Sequence, residues 1–485
     1  MRTPIYDFVT EYLSQDVSRL HMPGHKGRPF LGCEPRDLTE IAGADNLADP
    51  SGIIQESEAN ASALFGTAGT FYTTGGSSQA ICAMLYLAAS VYPRHGRRFR
   101  ILAARNVHKA FVHACALLDC DANWLWSGEQ DSLCSCRISP ASLEEELQRR
   151  RCTEQEADAV YVTSPDYLGN VADIRSLASV CAKYGLPLLV DNAHGAYLHF
   201  LPVPVHPMDL GASMCCDSAH KTLPVLTGGA YLHIAKPECL PVLSASQAPS
   251  VTSAFSGDIT RRLLAGAHGA LALFGSSSPS YLVLQSLDLC NRTLSETYPE
   301  NLKNTVFKVA LLKKELQDLG IPVRPTEGLK LVVSCTAPGL TGSRMAEHLR
   351  DYGVEVEFAD IEFVVMMFTP ENEKKDYARI LEAFAALCPL PPNPQAKTGP
   401  GSSGKGQGMF LPAPEQVCSI REAVFAPSET IPVSKADGRI CAAPTVSCPP
   451  AVPIVISGER ITPEAVQLMR LYGMEKVTVT RKDNP

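Results

Sequence analysis

Four short stretches carry side chains whose types and spacing could do covalent chemistry: TTGGSS at 73–78, RNVHKAF at 105–111, DNAHGAY at 191–197 and DSAHKTLP at 217–224. In the first, Gly75 and Gly76 precede Ser77 and Ser78 where a strand passes into a helix. Helix N-terminal N–H groups, glycines that allow close approach and hydroxyl donors together suit a phosphate, although a glycine turn with a serine N-cap has the same appearance. His108 sits just after a strand and at a helix entrance, where an imidazole can stack on a flat aromatic ligand or serve as an ordinary hydrogen-bonded loop residue. Asp191 ends an apolar strand, and His194 follows three residues later. An acid so placed calls for a cationic or metal partner, or caps the next helix. Lys221 stands among Ser218, His220 and Thr222. Kept from water, a lysine loses part of its preference for the ammonium form and attacks aldehydes; in water it is one more turn residue. Together the four stretches supply a phosphate cradle, a ring-stacking group, a carboxylate to keep a pyridine nitrogen protonated and an aldehyde-binding lysine, which is what pyridoxal phosphate requires.

The elements that must position these residues alternate. Between residues 60 and 235, β-rich runs (TFYTT, RILAA, AVYVT, LPLLVD, ASMCCDS, GGAYLHI) are separated by helical stretches at 79–91, 108–118 and 174–184. Alternation of this kind predicts an α/β fold with a mostly parallel sheet covered on both faces, with ligands at the carboxyl ends of the strands. An arm and large domain over 1–280 is followed by a smaller α+β domain over 281–389, built from a long helix at 302–319, KLVVSC, SRMAEHLRDYG and FVVMMF. The Pro/Gly/Ser-rich stretch 390–408 reads as a flexible linker, and 409–485 as a C-terminal α+β module.

Composition narrows the function. A chain of 485 residues with 45% hydrophobic and 19% charged residues is globular and long enough for several domains. A net charge of −8 argues against a nucleic-acid footprint, and the basic runs 94–100 and 148–151 read as solvated loop or helix-end charges. The start, MRTPIYDFVTEYL, lacks a signal peptide's apolar centre, and no 18-residue apolar run occurs, so a cytoplasmic, soluble protein is expected. The 17 cysteines are scattered through apolar segments as small hydrophobes, not spaced as disulfide or zinc frameworks, and no metal is expected.

With HMPGHKG at 21–27, DNLADPSGII at 45–54, SIREAVFAPSETIPVSKADGRICA at 419–442 and CPPAVPIVISGERI at 448–461 added, the motif set resembles the ornithine/lysine/arginine decarboxylase family. These are fold-type-I pyridoxal-phosphate enzymes, and the resemblance is to shorter bacterial members without an N-terminal wing domain. It implies a large domain around a mostly parallel seven-stranded sheet, and a homodimer or dimer of dimers with shared sites instead of large rings. Lys221 would carry the cofactor covalently, Asp191 would pair with its ring nitrogen, His194 would lie on the phenolic oxygen side and His108 would stack on the ring. Gly76, Ser77, Ser78 and Ser218 would hold the phosphate. His220 would lie beside the reacting centre as a proton donor. The resemblance further places Ser277 or Ser278 at a neighbouring subunit's phosphate, His25 and Lys26 at the substrate entrance and Glu459 near the substrate. TTGGSS departs from the family's more usual Asn-Gly-Thr-Ser. The implied activity is decarboxylation of arginine, lysine or ornithine to an amine that feeds polyamine synthesis. An aminotransferase or another lyase on the same scaffold, with Arg324 as carboxylate clamp, is the alternative. A non-catalytic binding protein is a third reading, opposed by the complete set His108, Asp191, His194 and Lys221.

Overall fold

The computed structural model describes residues 1–92, 96–127, 132–240, 249–335, 340–387, 413–443, 445–447 and 453–481. The expected linker at 390–408 lies outside the described residues. Seven strands form the central sheet: β1 (Gly69–Thr73), β2 (Arg100–Ala104), β3 (Asp121–Leu125), β4 (Ala159–Thr163), β5 (Leu188–Asp191), β6 (Met214–Asp217) and β7 (Ala230–Ile234). Their order is β1-β7-β6-β5-β4-β2-β3. The short apolar runs become strands because both faces of the sheet are covered; β5, LLVD, is buried at every position. β3 escapes a hydrophobic pattern search because it is an edge strand, DANWL, with four of its five residues only partly buried.

Only β7 runs against both of its neighbours. The stretch 218–229 between β6 and β7 holds a four-residue helix and no crossover, and a parallel connection needs a dozen or more residues and usually a full helix. The chain therefore turns straight back, and Lys221 sits in that turn. The parallel strands release their chains on one edge of the sheet, which gathers Arg105, Asp191 and Asp217 at a common rim. Helices Gly76–Val91, Lys109–Leu118 and Ile174–Lys183 contribute buried faces to the same core. The basic run at 148–151 proves to be the end of helix Pro140–Arg150, with Arg149 and Arg150 paired to Glu146.

The N-terminal arm starts with helix Pro4–Ser14, whose Ile5 and Val9 pack with Leu284 and Leu287 of helix Tyr281–Glu296. Beyond helix Tyr298–Asp318, strands Lys330–Ser334, Phe358–Ala359 and Phe363–Met367 form a three-stranded antiparallel sheet. In the C-terminal region, strands Ser428–Pro432 and Lys476–Thr480 pair, and helix Pro463–Leu471 packs into the core with Ile454 and Val455. Among the described residues, no helix is long and apolar enough to cross a membrane.

The arm depends on one carboxylate. Asp288 Oδ2 accepts the backbone N–H groups of Ile5 and Tyr6, each at 2.9 Å, in the first turn of the arm helix, and its other oxygen accepts from Ser57. Asp288→Ala strands those donors in a buried site, so a loss of about 1–3 kcal/mol in unfolding free energy and faster proteolytic cleavage within 15–33 are expected. Burial pushes the Asp288 carboxyl up to about 6. The folded chain therefore binds this proton more tightly than the unfolded one. Its contribution is full below the unfolded value of about 3.9 and is lost as pH rises through about 6, and Asp288→Asn should flatten that part of a Tm-versus-pH curve.

Candidate active site

Strand β6 ends at Asp217, Ser218 serves as N-cap, and the single turn Ala219–Thr222 brings Lys221 back over the rim. Lys221 Nζ lies 2.9 Å from His194 Nε2. Burial lowers the Lys221 pKa against the opposing pull of the Asp191 charge. His194 is pushed far down, first by burial and then by the charges of Lys330 and Lys221, so it is a neutral acceptor for the lysine. Tyr167 meets the His194 ring edge-on at 5.1 Å.

Asp191 is 2% exposed. Its partners are neutral donors: Ala193 N–H at 3.1 Å, the Tyr161 hydroxyl at 3.4 Å and the Cys216 thiol at 3.7 Å. Among the described residues no cation forms an ion pair with it, and the N-cap of the next helix, Ala196–Phe200, is Gly195, so the roles of salt-bridged core acid and of helix cap both fall short. His108 is the N-cap of helix Lys109–Leu118, with Nδ1 accepting the Ala110 N–H at 3.2 Å; the neutral ring then carries its proton on Nε2. Burial lowers its pKa while the Asp191 charge opposes. His220 directs Nδ1 to the Gly229 carbonyl at 3.0 Å, which leaves Nε2 to take and return a proton.

The glycine-serine loop differs from a serine-capped turn. Gly75 is the N-cap of helix Gly76–Val91 and has no side chain to offer; Ser77 and Ser78 lie within the first turn. Gly76 has φ +71° with open space where a Cβ would stand. The Ser218 hydroxyl, instead of capping its own turn, donates to Ser77 Oγ at 2.8 Å. The Ser77 and Ser218 hydroxyls therefore meet at the start of a sixteen-residue helix, whose first-turn N–H groups beyond Gly76 have no intrahelical partner; the Gly76 N–H itself donates to the Gly228 carbonyl at 2.8 Å.

Sequence reasoning passed over Asp217. It is wholly buried, with Oδ2 accepting from His206 Nε2 at 2.9 Å and from His233 Nε2 at 3.1 Å, and Oδ1 accepting Asn192 Nδ2 at 2.7 Å. Burial alone would raise its pKa; the two histidines, by charge and hydrogen bond, hold it far below the usual range. The three side chains have the spacing of a metal triad, with ligand atoms all within 4.8 Å. The Met208 N–H, however, donates to His206 Nδ1, which places that ring's proton on the nitrogen facing Asp217. A hydrogen-bonded cluster fits this tautomer and a metal does not. Its effect is to pin Asn192, the residue after Asp191, to Asp217, four residues before Lys221.

Other candidates make contacts of their own. His25 bonds Asp37 at 3.2 Å within the arm, and Lys26, exposed with φ 55°, reaches the His21 carbonyl. Ser277 and Ser278 are exposed in the loop after helix Pro249–Leu273. Glu459 is fully buried, with both oxygens on Arg105. Arg324 rests its guanidinium over the Phe363 ring.

The residues fit pyridoxal phosphate. His194 Nδ1 is buried without a partner, as are Asn192 Oδ1 beside Asp191 and Thr222 Oγ1 beside Lys221, and such atoms are rare in cores that are complete in themselves. The donors at Ser77 and Ser218 are neutral or anion-seeking, Asp191 is an acceptor awaiting a cationic N–H, and Lys221 is a desolvated amine.

Comparison with known proteins agrees with this fit. Residues 3–334 match the family model for the Orn/Lys/Arg decarboxylase major domain, and residues 406–478 match that for the C-terminal domain. An arginine decarboxylase of Bacillus subtilis (strain 168) is 27% identical, over 96% of this chain and 92% of the relative. YaaO of the same organism is 28% identical over 98% and 95%. The constitutive lysine decarboxylase of E. coli superposes with a TM-score of 0.73 at 16% identity, covering 99% of this chain and 82% of that one.

A lowered Lys221 pKa has a direct readout. The rate of reaction with the cofactor aldehyde, followed against pH in the apoprotein, should rise with an apparent pKa below the ordinary lysine value of about 10.4, and Lys221→Ala should leave no borohydride-trapped linkage.

Proposed function

We propose that this chain, which belongs to the Orn/Lys/Arg decarboxylase family, removes the α-carboxylate of a basic amino acid as carbon dioxide and releases the corresponding amine, with arginine the first substrate to test. The observation that carries the reading is a desolvated Lys221 amine held by neutral His194 beside a buried carboxylate, Asp191, at the ends of adjacent strands. Arginine is favoured because curated relatives that match nearly the whole chain act on it by name; lysine and ornithine remain within the family's range.

Pyridoxal phosphate, when bound, supplies the aldehyde that Lys221 takes up and a conjugated ring that accepts the electron pair left as carbon dioxide departs. The chain's own residues do the rest. Lys221 would hold the cofactor through Nζ, in an environment that favours the uncharged amine. Asp191 would keep a proton on the ring nitrogen, where a buried, fixed carboxylate acts without reorganising. His108 would seat the ring's face. Gly76, Ser77, Ser78 and Ser218 would orient the phosphate. His220 returns a proton from Nε2 to the substrate's α-carbon, its ring direction fixed by Gly229. The amine product would be a polyamine precursor, made by a homodimer or dimer of dimers.

An aminotransferase would use Arg324 to clamp the α-carboxylate. Its place over Phe363 gives that reading no particular support, and a decarboxylase gains from leaving the carboxylate poorly stabilised.

Incubation with arginine, lysine and ornithine should release carbon dioxide and amine in equal amounts from at least one; accumulation of a keto acid with no carbon dioxide would falsify the decarboxylase reading. Asp191→Asn should lower kcat by about 10²–10³ with the fold retained. His220→Gln should lower kcat by roughly 10² or more while KM changes little.

A further inference from the structure

The helix that His108 caps is gripped at both ends by the C-terminal domain. At its entrance, Arg105 is fully buried and joined to Glu459 by two parallel bonds, Nη1–Oε1 at 2.5 Å and Nη2–Oε2 at 2.8 Å. The guanidinium also lies over the rings of Trp124 and Trp126, 4.9 and 5.0 Å from their centroids; these are the chain's two tryptophans. Glu459 is itself fixed, with Oε2 accepting the Ile456 N–H at 2.7 Å. At the other end, Arg421 Nη1 donates to the Ala116 and Leu117 carbonyls at 2.9 and 3.2 Å, in the last turn of helix Lys109–Leu118. Ile420 beside it is buried in the large domain's core.

We propose that Glu459 is a positioning residue for the cofactor: through Arg105 the C-terminal domain fixes the segment 105–108 and so sets where His108 stands, without touching substrate. A fork-to-fork pair admits one orientation of its planar partners. Both charges are removed from water, so loss of the carboxylate leaves a guanidinium that cannot stay buried alone, and its movement carries the segment with it. Arg105 is three residues from His108, with its backbone N–H held by Leu125 and Asn106 O held by Thr163 Oγ1. A displaced side chain there has little slack before His108 shifts.

The inference rests on His108 facing the cofactor ring, and the experiment separates the two. In the full-length apoprotein, Glu459→Gln should shift the tryptophan emission, because both indoles report on Arg105. The cofactor dissociation constant should rise about tenfold, and the same substitution in a His108→Ala background should change it less than about twofold, the non-additivity of residues acting through one another. KM for the amino acid should stay within about twofold while kcat falls. Additive effects of the two substitutions would overturn the proposal, as would a raised KM with kcat and cofactor affinity intact, which is the pattern of a substrate contact. If His108→Ala alone leaves cofactor affinity unchanged, the ring-facing reading beneath the proposal fails instead. Should Glu459→Gln not fold, Glu459→Asp, which keeps the charge and shortens its reach, enters the same cycle with the same expected non-additivity.

Discussion

Two buried carboxylates at the ends of adjacent strands meet the same physical demand in opposite ways, and the site follows from the contrast. Asp191 ends β5 and Asp217 ends β6, with Asp191 in register with Cys216. A carboxylate in such a place is costly unless charge or strong donors compensate it, by several kcal/mol even after relaxation. Asp217 is compensated within the chain by two imidazoles and an amide. Among the described residues, Asp191 has only a thiol, a phenol and one backbone N–H, which leaves acceptor capacity suited to a protonated ring nitrogen. One acid is a structural anchor and the other is held in readiness by it, since Asn192 ties the two strand ends together.

That arrangement sets the electrostatics of Lys221. Burial favours its neutral amine and Asp191 favours its ammonium, and burial prevails. The same opposition acts on His108, again with burial the larger influence. A site in which burial disfavours the charged forms of lysine and histidine beside a buried carboxylate has the character that uptake of an aldehyde and pairing with a cationic ring would need. Neither property requires a residue of unusual type. Both come from the antiparallel return of β7, which closes the rim over the turn holding Lys221.

The strand ends were legible because each lies where an apolar run stops and polar residues begin: RILAA coincides with β2 and AVYVT with β4. What was not legible depended on pairing between segments without periodic marks. His206 sits in a loop and His233 in the middle of β7, and they converge on Asp217 only because β7 pairs antiparallel with β6. Arg105 and Glu459 are 354 residues apart, and nothing local to SGERI distinguishes an acid that meets substrate from one that meets an arginine. The serines of TTGGSS could be read as a cap because sequence alone does not fix where a helix begins; a one- or two-residue difference moved them from the cap into the first turn.

The three-stranded sheet enters through a second buried amine. Lys330, at the start of strand Lys330–Ser334, is wholly buried, and its Nζ donates to the Asp166 carbonyl at 2.8 Å and the Tyr167 carbonyl at 3.4 Å, just beyond β4. Burial lowers its pKa to about 8, so near neutrality it stays largely charged, and after burial it is the largest influence keeping His194 neutral. Tyr167 completes the connection, with its ring edge-on to His194 and its hydroxyl donating to Glu357 at 2.8 Å. A protonated His194 could not accept from Lys221 and would add a positive charge beside an amine whose charged form burial already disfavours. The three-stranded sheet thus helps to set the protonation of the residue that holds Lys221, much as Glu459 and Arg421 reach the segment and helix around His108.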